Sequence, residues 1–416
     1  MGGYYVPGYY VEDHSAAVPL DWDAPGETIE VFWREVCDPA KRGEDLPLLV
    51  FFQGGPGGKS PRPMPGSGWL PEAIKHYRVI LPDQRGTGRS TPVTGGPVSA
   101  DYLSHLLADS IVRDFEHIRT TAYGGKPWTS FGQSYGGFLT LAYLSAFPGA
   151  LKACIVAGGI PGVPPVAADV YRHTYPRAKQ KTRRFYARYP QDEAQAAAVA
   201  DVLAAGGVRL PSGDELSVRR FQSVGIDLGM KPGAERLHWL LDEAFARPGV
   251  LSPAFLEEVY TRTSSLDNQL FWTLQEFIYG NESNGPIGWA AETELANHPE
   301  FGPDQRPLLF TGEMTYRWMF DEVAALRPYR EAVHELMARL EWPKVYDLER
   351  LAANAAPVQS VMYYDDLYVD VDIQQATLAK VGNAEYWVTN EYEHDGIQNP
   401  EVFARLYRLL AERGGA

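Results

Sequence analysis

The chain has 416 residues, more than one hydrophobic core usually organises, so a main domain with an insertion or a second domain is expected. Hydrophobic residues make up 45% and charged residues 22%, the balance of a globular chain with a large core, not of a disordered one. The 53 acidic residues outnumber the 38 basic ones for a formal charge of -15, which argues against nucleic acid and against an anionic membrane surface as partners, because both need clustered Lys and Arg.

In chain order, residues 29–38 (IEVFWREVCD) alternate apolar and polar, as a half-buried strand does. Residues 47–52 (PLLVFF) form a continuous apolar run that ends in the glycine-rich stretch Gln53-Gly54-Gly55-Pro56-Gly57-Gly58. Residues 78–82 (RVILP) make a third strand, followed by Asp83-Gln84-Arg85-Gly86-Thr87-Gly88-Arg89-Ser90. Helical spacing of Leu107, Ile111, Phe115 and Ile118 predicts a helix over 107–121, and a short strand at 128–131 leads into a helix over 137–146. Residues 152–157 (KACIVA) are the next strand. Continuous apolar strands alternating with helices indicate a parallel sheet covered on both faces, the α/β class.

The pattern changes near Pro161, Pro164 and Pro165. From about 167 to 342 the chain turns helical and charged, in stretches such as 189–205 and 234–247, which predicts a helical cap inserted into the sheet domain. Strands return at 356–364 and 384–389, and an amphipathic helix covers 400–412. The expected organisation is a core over 1–160 and 346–416 with a cap over 161–345.

Cys37 and Cys154 are too few for a disulfide framework and lack metal-ligand spacing, which fits a reducing compartment. The first ten residues show no basic stretch followed by an apolar run, and no apolar segment reaches the roughly 18 residues that span a bilayer. A cytoplasmic location without membrane association is the expectation.

The strongest chemical signal is Gly132-Gln133-Ser134-Tyr135-Gly136, a G-x-S-x-G turn between a strand and a helix. Such a turn lifts a serine hydroxyl into a cleft and aims the N–H groups of the following helix at the reacting centre. This is the nucleophile elbow of the α/β-hydrolase fold, with Ser134 as nucleophile. The Gly54-Gly55-Pro56-Gly57 loop follows the strand whose loop in this fold supplies one oxyanion N–H, here Gly55, and the other comes from Tyr135 after the serine. A serine hydroxyl needs a base, and the chain order Ser, then acid, then His leaves His394, between the last strand and the last helix. The acid belongs after the strand at 356–364, where Asp365, Asp366, Asp370 and Asp372 all stand, and spacing alone does not choose among them. The Asp83–Ser90 stretch lacks the spacing of a phosphate loop and reads as a structural loop held by Asp83 and Arg85.

Taken together, Gln53 to Gly57, Asp83 to Ser90 and Gly132 to Gly137 resemble the prolyl aminopeptidases (proline iminopeptidases), serine exopeptidases of the α/β-hydrolase fold. The larger bacterial branch is the nearer likeness, through Leu274 to Tyr279, Phe310 to Met314, Tyr363 to Val369 and Glu391 to His394. The resemblance implies Asp366 as the acid, four residues before the position where the family has a proline and this chain has Asp370; Asp365 is the alternative. It also implies that Gln53 replaces a histidine of smaller relatives at a position whose contribution is backbone. The implied substrates are small peptides with a free N-terminus, their charged amine held by cap glutamates, Glu276 first and Glu313 second. No metal or organic cofactor is implied. A broader aminopeptidase or a carboxylesterase on the same scaffold is the alternative, because fold does not fix substrate.

Overall fold

The computed structural model describes residues 2–66, 68–282 and 284–415; the outer limits of the expected domains, Met1 and Ala416, lie outside them, as do Ser67 and Ser283. The strands in chain order are β1 (Tyr4–Val6), β2 (Tyr9–Pro19), β3 (Thr28–Cys37), β4 (Leu48–Phe52), β5 (Arg78–Pro82), β6 (Trp128–Gln133), β7 (Leu151–Ala157), β8 (Phe245–Arg247), β9 (Val250–Leu251), β10 (Val358–Tyr363) and β11 (Ala384–Thr389). All but β8 and β9 join one nine-stranded sheet in the order β1-β2-β3-β5-β4-β6-β7-β10-β11. Every pairing from β5 to β11 is parallel, and the three pairings that add β1, β2 and β3 are antiparallel.

The apolar character of the central strands follows from burial on both faces. Successive side chains point to opposite faces. Thus Leu49 and Phe51 of β4 meet the helix Pro400–Glu412 side, with Trp69, Phe403 and Leu406, while Val50 and Phe52 meet the other face, with Phe115 and Tyr143. On that second face lie the helices Ala108–Ala122 and Tyr135–Ala146, which begin where the sequence places them to within two residues. The antiparallel strands β1 and β2 go beyond what the sequence pattern predicts. β2 places Glu12, Asp13 and His14 in succession, so it shows no clean period of two.

Between β7 and β10 no described strand joins the large sheet, and the chain is mostly helical, with Ala167–Arg188, Pro190–Ala204, Gly233–Asp242 and Pro253–Thr263 as its longest helices. The helix expected over 234–247 stops at Asp242. Beyond it β8 and β9 form a small antiparallel hairpin, because Pro248-Gly249 makes a turn in which Gly249 takes a φ of 73°. The inserted helices share one continuous apolar cluster with the sheet's second face, from Phe138 through Tyr279 to Phe310. The insertion is seated on the core by that shared interior. Among the described residues, no helix is long and apolar enough to cross a membrane.

Candidate active site

The loops that carry the expected chemistry all leave the carboxyl ends of neighbouring strands, where open α/β sheets place their ligands. Gln53–Gly58 follows β4, Asp83–Ser90 follows β5, Ser134 follows β6, Gly158 and Gly159 follow β7, Asp366 follows β10 and His394 follows β11.

Ser134 sits at φ 54° and ψ -125°, a backbone conformation that a serine adopts only under constraint, at a cost of roughly 1–3 kcal/mol. The constraint is the elbow itself. Its N–H bonds to the Ala157 carbonyl of β7 at 3.0 Å, and its carbonyl accepts the Gly137 N–H at 2.8 Å. Glycines are required around it because backbone passes too close for a side chain. A Cβ on Gly132 would collide with the Gly136 carbonyl, and one on Gly136 with the Phe52 carbonyl of β4. Ser134 is nearly enclosed, at 7% exposure. Tyr135 opens the helix Tyr135–Ala146, so its N–H precedes any turn that could accept it.

The glycine loop lies over the serine. A Cβ on Gly54 would stand 3.0 Å from the Ser134 Cβ, and Gly55 takes a φ of 120° that glycine alone holds without strain. The loop is tied down from behind. Gln84 Nε2 donates to the Gln53 carbonyl at 2.8 Å. Asp83 accepts from Ser60 N at 3.1 Å, Arg89 N at 2.9 Å and both terminal nitrogens of Arg62 at 2.7 and 2.9 Å. Arg85 donates to both Asp114 oxygens at 2.7 and 2.6 Å and to the carbonyls of Pro19, Leu20 and His105. Asp83 and Arg85 therefore act as the structural anchors expected of them.

The carboxylate beside His394 is that of Asp366. Its Oδ2 lies 2.8 Å from His394 Nδ1, and its Oδ1 accepts the N–H groups of Tyr368 at 2.8 Å and Val369 at 3.1 Å. Asp365 faces away, paired with Arg184 at 2.9 Å and Arg177 at 3.5 Å, and Asp370 caps the helix Val371–Leu378 through Asp372 N. A carboxylate on Nδ1 fixes the imidazole as the Nδ1–H tautomer and leaves Nε2 as the basic nitrogen. The ring also packs edge-on against Tyr368, with centroids 4.7 Å apart at 88°. The backbone N–H of His394 is held by the Gly229 carbonyl of the insertion at 3.0 Å. Burial disfavours the imidazolium, but the charge and hydrogen bond of Asp366, with Glu313 and Asp395 behind them, outweigh it and raise the His394 pKa above its ordinary value. Asp366 and Ser134 flank the Gly158-Gly159 turn: a Cβ on Gly158 would stand 3.4 Å from Asp366 Oδ2, and one on Gly159 would collide with the Ser134 carbonyl. Asp366, His394 and Ser134 thus all lie at the carboxyl ends of the strands.

The two cap glutamates differ. Glu276 is buried, and its carboxylate accepts the N–H groups of Ala290 at 2.9 Å and Ala291 at 3.0 Å, at the start of the helix Ala290–Leu295. Burial pushes its pKa up to about 7 against the pull of those bonds. Glu313 keeps some accessible surface but is surrounded by protein. Burial pushes its pKa up to about 8, opposed by His394 and a bond from Gln275 and reinforced by Asp366. Both carboxylates act on the buried hydroxyls of Tyr171 and Tyr279, so they share one neighbourhood, and Glu313 is the one coupled to the histidine. Of the aromatic residues near these glutamates in sequence, Phe277, Tyr279 and Trp289 are buried, while Phe271 and Trp272 are partly exposed.

Two contributors lie outside the reach of sequence reasoning. Tyr368 braces His394, and nothing but its place inside the Tyr363 to Val369 run marks it. Gln275 is buried beside Glu313 with its Oε1 lacking a hydrogen-bond partner, a feature only the folded chain displays. Among the described residues, no three of His, Cys, Asp and Glu gather in a way that could hold a metal ion.

Comparison with known proteins gives the same picture at the level of the family. Residues 47–283 match the model of the alpha/beta hydrolase fold. The chain is similar to a proline iminopeptidase of Aeromonas sobria, 41% identical over 98% of both chains. It is also similar to a proline iminopeptidase of Aspergillus aculeatus, 31% identical over 95% of this chain and 92% of the other. Among solved structures, a proline iminopeptidase of Mycobacterium smegmatis aligns over 96% of this chain and 98% of its own at 16% identity and a TM-score of 0.43.

Proposed function

This chain belongs to the proline iminopeptidase family, hydrolases of the α/β-hydrolase fold, and from that premise we propose that it releases N-terminal proline from short peptides through Ser134, His394 and Asp366. His394 Nε2 takes the proton of Ser134 as the hydroxyl attacks the carbonyl of the first residue. Asp366 keeps the imidazole in the required tautomer and stabilises the imidazolium that forms. The N–H groups of Gly55 and Tyr135 hold the developing oxyanion, which they can do without reorganising because loop and helix are already fixed. His394 then delivers its proton to the leaving amine, and water attacks the acyl-enzyme by the same route in reverse.

The charged imino group of the substrate binds in the cap, with Glu313 and Glu276 as its carboxylate partners. Two enclosed acids whose protons are held up to about 8 and about 7 are sites that a cation would ionise and occupy. A blocked N-terminus brings no such charge and leaves the acids unpaired. The free, buried thiols of Cys37 and Cys154 fit a reducing, cytoplasmic setting.

The observation that carries this reading is the 2.8 Å bond between His394 and Asp366 at the sheet edge where strained Ser134 stands. The test is hydrolysis of prolyl-naphthylamide, its N-acetyl derivative, other aminoacyl-naphthylamides and short acyl esters. The free prolyl amide should be the best substrate and the acetylated one inert. Ester rates far above the prolyl rate would replace this reading with an esterase, and equal rates across amino acids with a broad aminopeptidase.

A further inference from the structure

A cavity of about 450 Å³ begins one residue from His394, at Glu393, on the side formed by the first inserted helix. Its wall includes Glu393, the residue before His394, and Leu228 and Met230, which flank the Gly229 carbonyl that holds the His394 N–H. In a chain of net charge -15 this cavity is basic: Lys181, Arg184, Arg188 and Lys231 line it against Glu235 and Glu393.

The cations are organised. Lys181, Arg184 and Arg188 recur at helical spacing along Ala167–Arg188, to one side of the stripe that buries Tyr171, Tyr175 and Ala178. Lys181 pairs with Glu393, Arg184 with Asp365 at 2.9 Å and Arg188 with Glu235 at 2.6 Å. Lys231 donates its ammonium to the Glu391 carbonyl, a neutral partner, and has no ion pair among the described residues. Lys231 is thus the one cation of the wall that no carboxylate pairs among the described residues.

The direction of the reaction gives this cavity a role. The base that opens the reaction also protonates the leaving amine, so the peptide beyond the scissile bond must pass His394. We propose that this cavity receives the departing part of the substrate and that its surplus positive charge, centred on Lys231, binds the free C-terminal carboxylate of short peptides. An extended residue spans about 3.5 Å, so one or two residues reach from beside the imidazole into a cavity that begins at Glu393. The substrate is then held at both ends, by acids at its amino terminus and by bases at its carboxyl terminus. The inference rests on the exopeptidase reading above.

The experiment compares kcat/KM for Pro-Gly-Gly and for its C-terminal amide, in wild type, Lys231→Gln and Lys231→Gln/Arg188→Gln, with prolyl-naphthylamide as a substrate that has no carboxylate. Wild type should prefer the free acid by about tenfold at low salt, and the preference should shrink at high ionic strength. The ratio of acid to amide should fall several-fold in Lys231→Gln and approach one in the double variant. A wild-type ratio near one, or a ratio that the substitutions leave unchanged, overturns the proposal while prolyl-naphthylamide is still cleaved. Failure to cleave prolyl-naphthylamide would instead overturn the exopeptidase reading beneath it.

Discussion

Two buried pairs of an acid with a base, Arg85 with Asp114 and His394 with Asp366, are built to different standards. In the first, Arg85 and Asp114 meet through two hydrogen bonds, and three backbone carbonyls take the remaining guanidinium donors while Trp22 Nε1 adds a bond to Asp114 Oδ1. Every donor has its partner, and nothing is left to react. In the second, Asp366 is saturated by Tyr368, Val369 and His394, and the imidazole it holds has a second nitrogen, which the proposed mechanism assigns to the serine. A closed network fixes the loops between strands and helices. An open one, with a position left for a reacting group, is where the proposed chemistry falls. Removing a residue from the first should therefore cost stability, and removing one from the second should cost rate.

The largest expected effect is on the open network. Ser134→Ala should lower kcat by on the order of 10⁵- to 10⁶-fold with an unchanged unfolding transition, measured by prolyl-naphthylamide hydrolysis and by calorimetry. Asp366→Asn should follow at about 10⁴-fold, because an amide can present its N–H to Nδ1 and hold the wrong tautomer. Comparable activity in Asp366→Asn and wild type would erase the distinction between the two networks.

On the closed network, Arg85→Met leaves Asp114 buried without its cation and should destabilise the fold by about 3–5 kcal/mol in denaturant titration. The folded fraction should keep wild-type turnover. Adding Asp114→Leu should recover much of that stability, since an apolar pair of similar size is often neutral.

A pH series sharpens the contrast further. His394 acts as a base only when neutral, and its pKa is raised, so kcat/KM should fall with acid above the ordinary imidazole range of about 6.5. Glu276 and Glu313 must be ionised to hold a cation, which places further losses below about 7 and about 8. The sign for stability is the reverse. Their folded pKa values lie above the unfolded ones, so their contribution is complete below the ordinary carboxylate range and is lost as pH rises from there through about 7 and about 8. Glu313→Gln should accordingly flatten the decline of Tm between about pH 5 and about pH 8.

The smallest effect concerns strain. Ser134→Gly removes the side chain that resists a φ of 54° and should raise stability by about 1 kcal/mol while abolishing activity.

The parallel strands are legible in the chain because both of their faces are buried, which writes them as unbroken apolar runs. The elbow is legible because Gly132 and Gly136 are demanded by backbone contact. The two antiparallel strands at the sheet's edge are not, since β2 interrupts its apolar positions with Glu12, Asp13 and His14. The hairpin at β8 and β9 is hidden because the helical spacing of Leu237, Leu240 and Leu241 runs almost up to it; Pro248-Gly249 is the available signal, and the preceding helix pattern masks it. Asp366 can be named only through family resemblance, because Asp365 and Asp366 are adjacent and differ in which way the turn after β10 directs them. The basic cavity cannot be read at all: Lys231 and Glu393 are distant in sequence and meet through the path of the insertion.

In the proposed mechanism Ser134 is made nucleophilic by the imidazole that Asp366 holds. Treating the wild type and His394→Ala with a fluorophosphonate at neutral pH, then mapping the adduct by peptide mass spectrometry, tests it directly. A single adduct on Ser134 in the wild type, formed orders of magnitude more slowly without His394, is the predicted result. An adduct on another residue, or equal labelling of both proteins, would contradict it.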